Sequence, residues 1–513
     1  MLAVVTTAAI RGVESFLVRV EVNLSAGLPA FSVVGLAHGA VREGRERVSA
    51  ALRNVGHPIP PRRVTVNLAP ADVRKEGASF DLAVAVGLLA AGGVVAPGQI
   101  EGTAFVGELG LDGTLRGVRG ALPMAACCAD AGIRTLVVPD VNAAEAATVR
   151  GVVTLGARAL PEVLDHLVGR SVLRPVDVDP LALLADPDVG GPDLADIKGQ
   201  ETAKRALAIA AAGGHNLLLL GPPGSGKTML ARRLSGILPP MTLQEALEAT
   251  RVHSVAGRLP PARAMLTRRP FRAPHHTVSD AGLVGGGSPP RPGEVSLAHH
   301  GVLFLDELAE FRRNVLEALR QPLEDGTIRV ARARATERFP ARFLLVGAMN
   351  PCPCGYWGDG SDRCLCDPTL VDRYRARISG PLLDRLDLHV EVPAVSFDRL
   401  SERWSGRSSE GVRARVARAR ALQVERFADV PGVFANGQMD AGLLRRLGPP
   451  SQKIVRILQH AVDRTGLSAR GYHRVLKVAR TVADLDGVAA VEERHVLEAL
   501  HYRILDRRSA AVQ

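Results

Sequence analysis

Cysteine is scarce in this chain, with six in 513 residues. Two are the vicinal Cys127 and Cys128 in an Ala-rich, helix-like stretch, and the other four fall within fifteen positions. That distribution argues against a disulfide framework and makes a local metal site the more natural use of thiols. No run of 18 apolar residues occurs, so no ordinary membrane-spanning helix is expected. The opening MLAVVTTAAIRGVESF has no basic leader and reaches Arg11 and Glu14 before a secretory apolar region could form. A cytoplasmic protein is therefore expected. Sequence repeats and long low-complexity tracts are also missing. What remains is globular: 46% of residues are hydrophobic, and the length suits about three domains. Sixty-four Lys and Arg against 53 Asp and Glu leave a formal net charge of +11, which suits an anionic partner such as nucleic acid.

Hydrophobic patterning predicts a multidomain α/β protein. Residues 1–172 alternate β-rich runs (FLVRVEVNL, RRVTVNLAP, TLVVPD) with apolar helical stretches such as DLAVAVGLLAA, an α+β pattern. Residues 173–193 hold prolines and aspartates with little periodicity and read as a linker. In residues 194–395 buried-type strands (NLLLLG, GVLFLDE, FLLVGAMN) alternate with helical segments, as in a parallel α/β domain. Residues 396–513 have helical spacing throughout and predict a bundle.

The strongest motif is LLLLGPPGSGKTML, a strand that runs through G-x-x-x-x-G-K-T into a helix. In the loop Gly221, Pro222, Pro223, Gly224, Ser225 and Gly226, the three glycines would let backbone amides turn inward around phosphates. Lys227 would add charge at the β and γ phosphates of ATP, and Thr228 would offer its hydroxyl to Mg²⁺. About eighty residues on, GVLFLDELAEF ends a buried strand in Asp306 and Glu307. Asp306 would serve the Mg²⁺ shell and Glu307 would polarise the attacking water. A third strand ends in Asn350, placed either to orient that water or simply to form a turn before Pro351. Between them GTIRVARARATERFPARF carries Arg329, Arg332 and Arg334 on a strand expected to show one cationic face, with a partner strand resuming at RFLLVG. Such a basic hairpin suits a phosphate backbone, with a solvated charged face as the alternative. His275 with His276, and His299 with His300, are vicinal pairs. On a strand they would point to opposite faces, so structural or hydrogen-bonding roles are expected.

Cys352, Cys354, Cys364 and Cys366 form C-x-C, nine residues, C-x-C, in a loop spanning 351–367 with glycines that let it reverse. Four thiolates at this spacing can meet one tetrahedral Zn²⁺; an iron–sulfur cluster or free thiols are the alternatives.

The ordered set GPPGSGKTML, FRAPHHTVSDAGLVGGG, RPGEVSLAHHGVLFLDELAEF, RQPLEDGTIRVARARA, LVGAMNPCPCG, LLDRLDLHVEV and LSARGYHRVLKVARTVADL resembles the magnesium-chelatase-like AAA+ ATPases of the YifB/ComM family. The resemblance runs through nearly the whole chain. It implies an AAA+ core over 194–395 and a helical lid over 396–513, in a hexameric DNA motor that promotes branch migration in natural transformation. It further implies that Asn350 is sensor-1, that Arg385 is an arginine finger reaching a neighbouring subunit's nucleotide, and that Arg470 is the sensor-2 arginine. A metal-chelatase ATPase subunit and a protein remodeller are the rival readings. In residues 1–172, VRKEGASFDLAVAVGLLAA resembles the Lon-protease segment bearing the nucleophilic serine, here Ser79, and GELGLDGTLRGVRGALPMAA resembles the segment bearing its lysine. That lysine falls on Leu122, which cannot hold a proton, so a Lon-like fold without its catalysis is expected.

Overall fold

The structure, a computed structural model, describes residues 1–513 except 36–39, 72, 74, 76, 186–192, 261–262, 333–334, 361, 396–407, 431, 447, 504 and 506–513. The first strands, Leu2–Arg11 and Glu14–Ser25, form an antiparallel hairpin with Leu2 opposite Asn23 and Arg11 opposite Glu14. They sit inside a seven-stranded sheet whose order is 30–34, 63–69, 14–25, 2–11, 103–105, 135–139, 153–157. Helix Asp81–Ala91 is apolar on every side and, as that demands, buried along its whole length. It lies against the sheet through Gly87, where an added Cβ would come within 2.6 Å of Val22.

The central unit is a five-stranded parallel sheet in the order 271–272, 302–305, 344–349, 217–220, 388–391. Its strands are continuous apolar runs because helices cover both faces. Leu217 and Leu219 face one core with Val302 and Val346, whereas Leu218 and Leu220 face the other with Leu303 and Leu305. The first of these cores also takes in helices Glu201–Gly213, Ser409–Arg426 and Ala469–Leu485, so the C-terminal helices close over the sheet rather than forming a core of their own. Arg420 ties them together by donating to the carbonyls of Ala211 (2.9 Å) and Ala212 (3.0 Å) at the end of helix Glu201–Gly213. Among the described residues no helix is long and apolar enough to cross a membrane.

Two sequence expectations need correcting. The basic strand Thr327–Arg332 pairs with Ala335–Pro340, from Thr327↔Pro340 to Arg332↔Ala335, and not with RFLLVG. Phe339 packs on Ile328 and Val330 and so fixes that pairing, while Leu344–Met349, buried on both faces, belongs in the central sheet. The stretch read as a linker is also partly structured: Val176 donates to Thr154 (2.9 Å), and Leu184 of the short helix Pro180–Ala185 packs on Met241 and Met265.

The N-terminal unit meets the central unit through the turn after its first strand and through a buried carboxylate. Val13, in the turn between the first two strands, packs against Ile328, Val330 and Phe339, and Arg11 pairs with Glu337 at 3.2 Å. Elsewhere buried Glu145 accepts from Leu122 N–H (3.0 Å) and from the Ser254 hydroxyl on helix Leu243–Ala256. Burial pushes the Glu145 carboxyl above its ordinary range, and these donors pull against that rise.

Candidate nucleotide site

The open ends of parallel strands collect ligand-binding groups, and here the ends of 217–220, 302–305 and 344–349 meet. Strand Leu217–Leu220 runs into Gly221, where only glycine fits: a Cβ would lie 2.1 Å from the Val392 carbonyl oxygen. Gly224 (φ 76°) and Gly226 (φ 90°) take left-handed turns, and helix Lys227–Leu234 begins at once. Pro222 and Ser225 are buried in the loop, Pro223 is exposed, and the buried Ser225 hydroxyl has no partner among the described residues. The Lys227 ammonium donates to Gly221 O (2.7 Å), Pro222 O (2.8 Å) and Asn350 Oδ1 (3.1 Å). Burial lowers its pKa, while Asp306 and Glu307 oppose the shift.

Thr228 donates its hydroxyl to Asp306 Oδ2 at 2.7 Å, so the two oxygens read as Mg²⁺ ligands are already adjacent. This hard-oxygen pair beside a phosphate loop fits the ion. Glu307 sits at φ 52°, a left-handed conformation costly for a non-glycine residue, and projects an exposed carboxylate. Its N–H donates to Asp306 Oδ1 (3.0 Å).

The sequence reading passed over a neighbour of that carboxylate. His276 Nδ1 lies 3.4 Å from Glu307 Oε2. Strand Phe271–Arg272 pairs with Val302–Leu305, which carries the segment after it to the tip that bears Glu307. FRAPHHT stood out in the sequence, but nothing local to it revealed this adjacency. Nor do the vicinal histidines point apart as strand geometry would have them. The rings of His275 and His276 are 4.1 Å apart, and those of His299 and His300 3.9 Å, the latter with His300 at φ 57°. His299 and His300 both reach Glu248 Oε2, at 3.3 and 2.7 Å. His299 is nevertheless poorly suited to ligate a metal there. Burial takes it down to about 4, and its Nδ1 accepts from Arg342 N–H (3.1 Å), so the neutral ring carries its proton on Nε2, toward the carboxylate. A hydrogen-bonded clamp results, in keeping with the structural role expected.

Arg385 and Arg470 lie together, away from this loop. Arg385 is 6% exposed, held by Glu324 and by the Pro381 carbonyl. With exposed Arg470, Arg474 and Lys477 it lines a pocket of about 200 Å³ that includes none of residues 221–228. Arg329 is exposed on its hairpin. Arg332 ends the strand, and Arg334 lies outside the described residues.

Cys352, Cys354, Cys364 and Cys366 converge, with their sulfurs all within 4.8 Å of one another. Three of the separations are 3.3, 3.5 and 3.8 Å, near the about 3.8 Å expected for sulfurs sharing a tetrahedral Zn²⁺. None is in a disulfide. Trp357 N–H points at Cys352 Sγ (3.4 Å), a hydrogen bond that suits a thiolate.

Three family models match along the chain: magnesium chelatase, subunit ChlI, over residues 193–400; subunit ChlI of Mg-chelatase over 20–142; and the subunit's C-terminal part over 406–503. The chain is 46% identical to competence protein ComM of Haemophilus influenzae over 509 residues, which cover 99% of this chain and 98% of the relative. It is 43% identical to YifB of Escherichia coli over 508 residues, covering 99% and 98%. The magnesium-chelatase 38 kDa subunit of Cereibacter sphaeroides is more distant, 26% identical over 327 residues that cover 58% of this chain and 87% of that subunit. Matched end to end by such relatives and carrying the nucleotide loop intact, the chain belongs to the YifB/ComM family of magnesium-chelatase-like AAA+ ATPases.

Proposed function

We propose that this protein is an ATP-hydrolysing motor that acts on DNA as a ring in the cytoplasm, promoting branch migration in recombination or natural transformation. The observation that carries the ATPase reading is the contact of Thr228 with Asp306 at 2.7 Å beside a lysine held by Asn350 at 3.1 Å. Thr228 and Asp306 would hold Mg²⁺, whose charge would offset that of the phosphates. The N–H groups of Gly224, Ser225 and Gly226 cradle the phosphates, Lys227 draws toward the γ-phosphate, Glu307 accepts the proton of the attacking water and Asn350 orients it. Arg385, grouped with Arg470 apart from this loop, then serves as the finger to a neighbouring subunit's nucleotide, which calls for an oligomer, and Arg470 is the sensor-2 arginine of the lid; six subunits follow the family pattern. The four-thiol cluster holds a structural Zn²⁺. The N-terminal unit is Lon-like in fold and works as a docking platform, with buried Leu122 standing where a Lon protease has its lysine.

For DNA over the rivals speak the competence name of the ComM relative and the exposed Arg329 on a basic hairpin. A protein unfoldase would more usually grip with aromatic and apolar loop residues. ATP hydrolysis is expected to rise several-fold with single-stranded or branched DNA, and binding to weaken steeply between low and moderate salt, as phosphate contacts require. If DNA neither binds at low salt nor stimulates hydrolysis, and a porphyrin-chelatase partner does, the chelatase reading replaces this one.

His276 is a positioning residue in the same scheme. Its ring nitrogen, 3.4 Å from Glu307 Oε2, is near enough to steady the carboxylate, and small misplacements of a general base are costly. His276→Ala is expected to lower kcat about tenfold with little change in KM, and His276→Gln, which keeps a donor, to recover part of it. A change in KM alone would count against the assignment.

A further inference from the structure

The cysteine loop and the phosphate loop touch. Gly355 packs on Pro223 so closely that an added Cβ would lie 2.5 Å from its Cδ and 2.7 Å from its Cγ. Its φ of 90° is also left-handed. Two residues before Cys352, Asn350 accepts from the Lys227 ammonium at 3.1 Å. The loop thus meets the nucleotide site from two sides, through the backing of Pro223 and the partner of Lys227.

Apolar packing contributes little to the loop, whose other ties are polar, Arg363 pairing with Asp359 at 2.8 Å and lying over the Tyr356 ring. Among the described residues from 352 to 366 only Cys352 and Gly355 are buried, while Leu365, between two of the cysteines, is 93% exposed. Gly358 and Gly360 add two more left-handed turns. A segment with so small a core gains its order from a cross-link, and four converging thiols are the cross-link available. Soft thiolates at these separations select a thiophilic divalent cation, Zn²⁺ before Mg²⁺.

We propose that a thiophilic divalent cation bound by Cys352, Cys354, Cys364 and Cys366 is required for nucleotide binding, because it clamps Gly355 against Pro223 and keeps Asn350 beside Lys227. This rests on the ATP-site reading above and adds its control: cation loss frees the loop, and the phosphate cradle loses its backing. No bond to nucleotide is involved, and the cation acts through the chain.

The test uses the full-length protein without DNA, measuring metal content by elemental analysis and affinity for a fluorescent ATP analogue by anisotropy. About one Zn²⁺ per chain is expected. Stripping the metal with a mercurial and a chelator should weaken analogue binding about tenfold or more, and thiol plus Zn²⁺, but not Mg²⁺, should restore it. Gly355→Ala separates the contact from the metal: it should keep its Zn²⁺ and its far-UV circular dichroism yet bind the analogue about tenfold more weakly. Protein that takes up no Zn²⁺, or whose analogue affinity is unchanged by stripping or by Gly355→Ala, would overturn the proposal. Loaded protein that binds no analogue at all would instead overturn the ATP-site reading, and this proposal with it. Absence of DNA stimulation would leave it standing.

Discussion

Lys227→Ala should cut ATP turnover by about 10²- to 10³-fold, a loss of about 3 to 4 kcal/mol of transition-state stabilisation. The ammonium is the one cation held inside the phosphate loop among the described residues, anchored by the carbonyls of Gly221 and Pro222. No other residue of the loop can supply its charge. The fold should survive the change. Three hydrogen bonds are lost, each worth about 1 kcal/mol net, but a partly desolvated charge, whose pKa burial already lowers, is removed with them. Phosphate release in steady state, alongside circular dichroism, checks both halves. Near-normal turnover in a folded variant would mean that hydrolysis happens elsewhere.

Glu307→Gln should separate binding from hydrolysis. Glutamine has the same shape, keeps the strained φ of 52° and can stay beside His276. It cannot take a proton from water. ATP affinity should stay near normal while single-turnover hydrolysis falls by about 10²- to 10⁴-fold. The contrast with Lys227→Ala is the informative part, because losing the cation should weaken binding and chemistry together. A Glu307→Gln variant that hydrolyses normally would move the base to another residue.

The nucleotide loop was legible in the sequence because each of its parts is local. An all-apolar strand, glycines at the left-handed positions 224 and 226 and a lysine at a helix start leave little room for another structure. Asp306 and Asn350 were legible for a similar reason, since each ends a buried strand, and parallel strands bring their ends together. The cysteines needed only their short spacing. What escaped depends on distant neighbours or on single backbone angles. His276 meets Glu307 because two strands thirty residues apart happen to be adjacent. His299 and His300 share Glu248 because one residue takes a positive φ. The pairing of the hairpin is not legible because it rests on the burial of Phe339 against Val330 and against Val13, which is far away in the chain. Arg385 is implied by the resemblance as a finger, and its burial beside Glu324 depends on a helix about sixty residues away.

The seat of Val13 on the arginine hairpin has a further meaning for how the chain can be cut or made. Arg11 and Glu337 are 326 residues apart, so during synthesis this turn waits for its apolar partners until the chain has grown by more than three hundred residues beyond it. The dependence also runs the other way. A truncation beginning after residue 172 would not be a minimal motor: it would leave Ile328, Val330 and Phe339 with Val284 but without Val13, and strip Ser254 of Glu145. Strands with a bare apolar side stick to one another, so such a fragment would aggregate through the same hairpin that carries Arg329 in the intact chain.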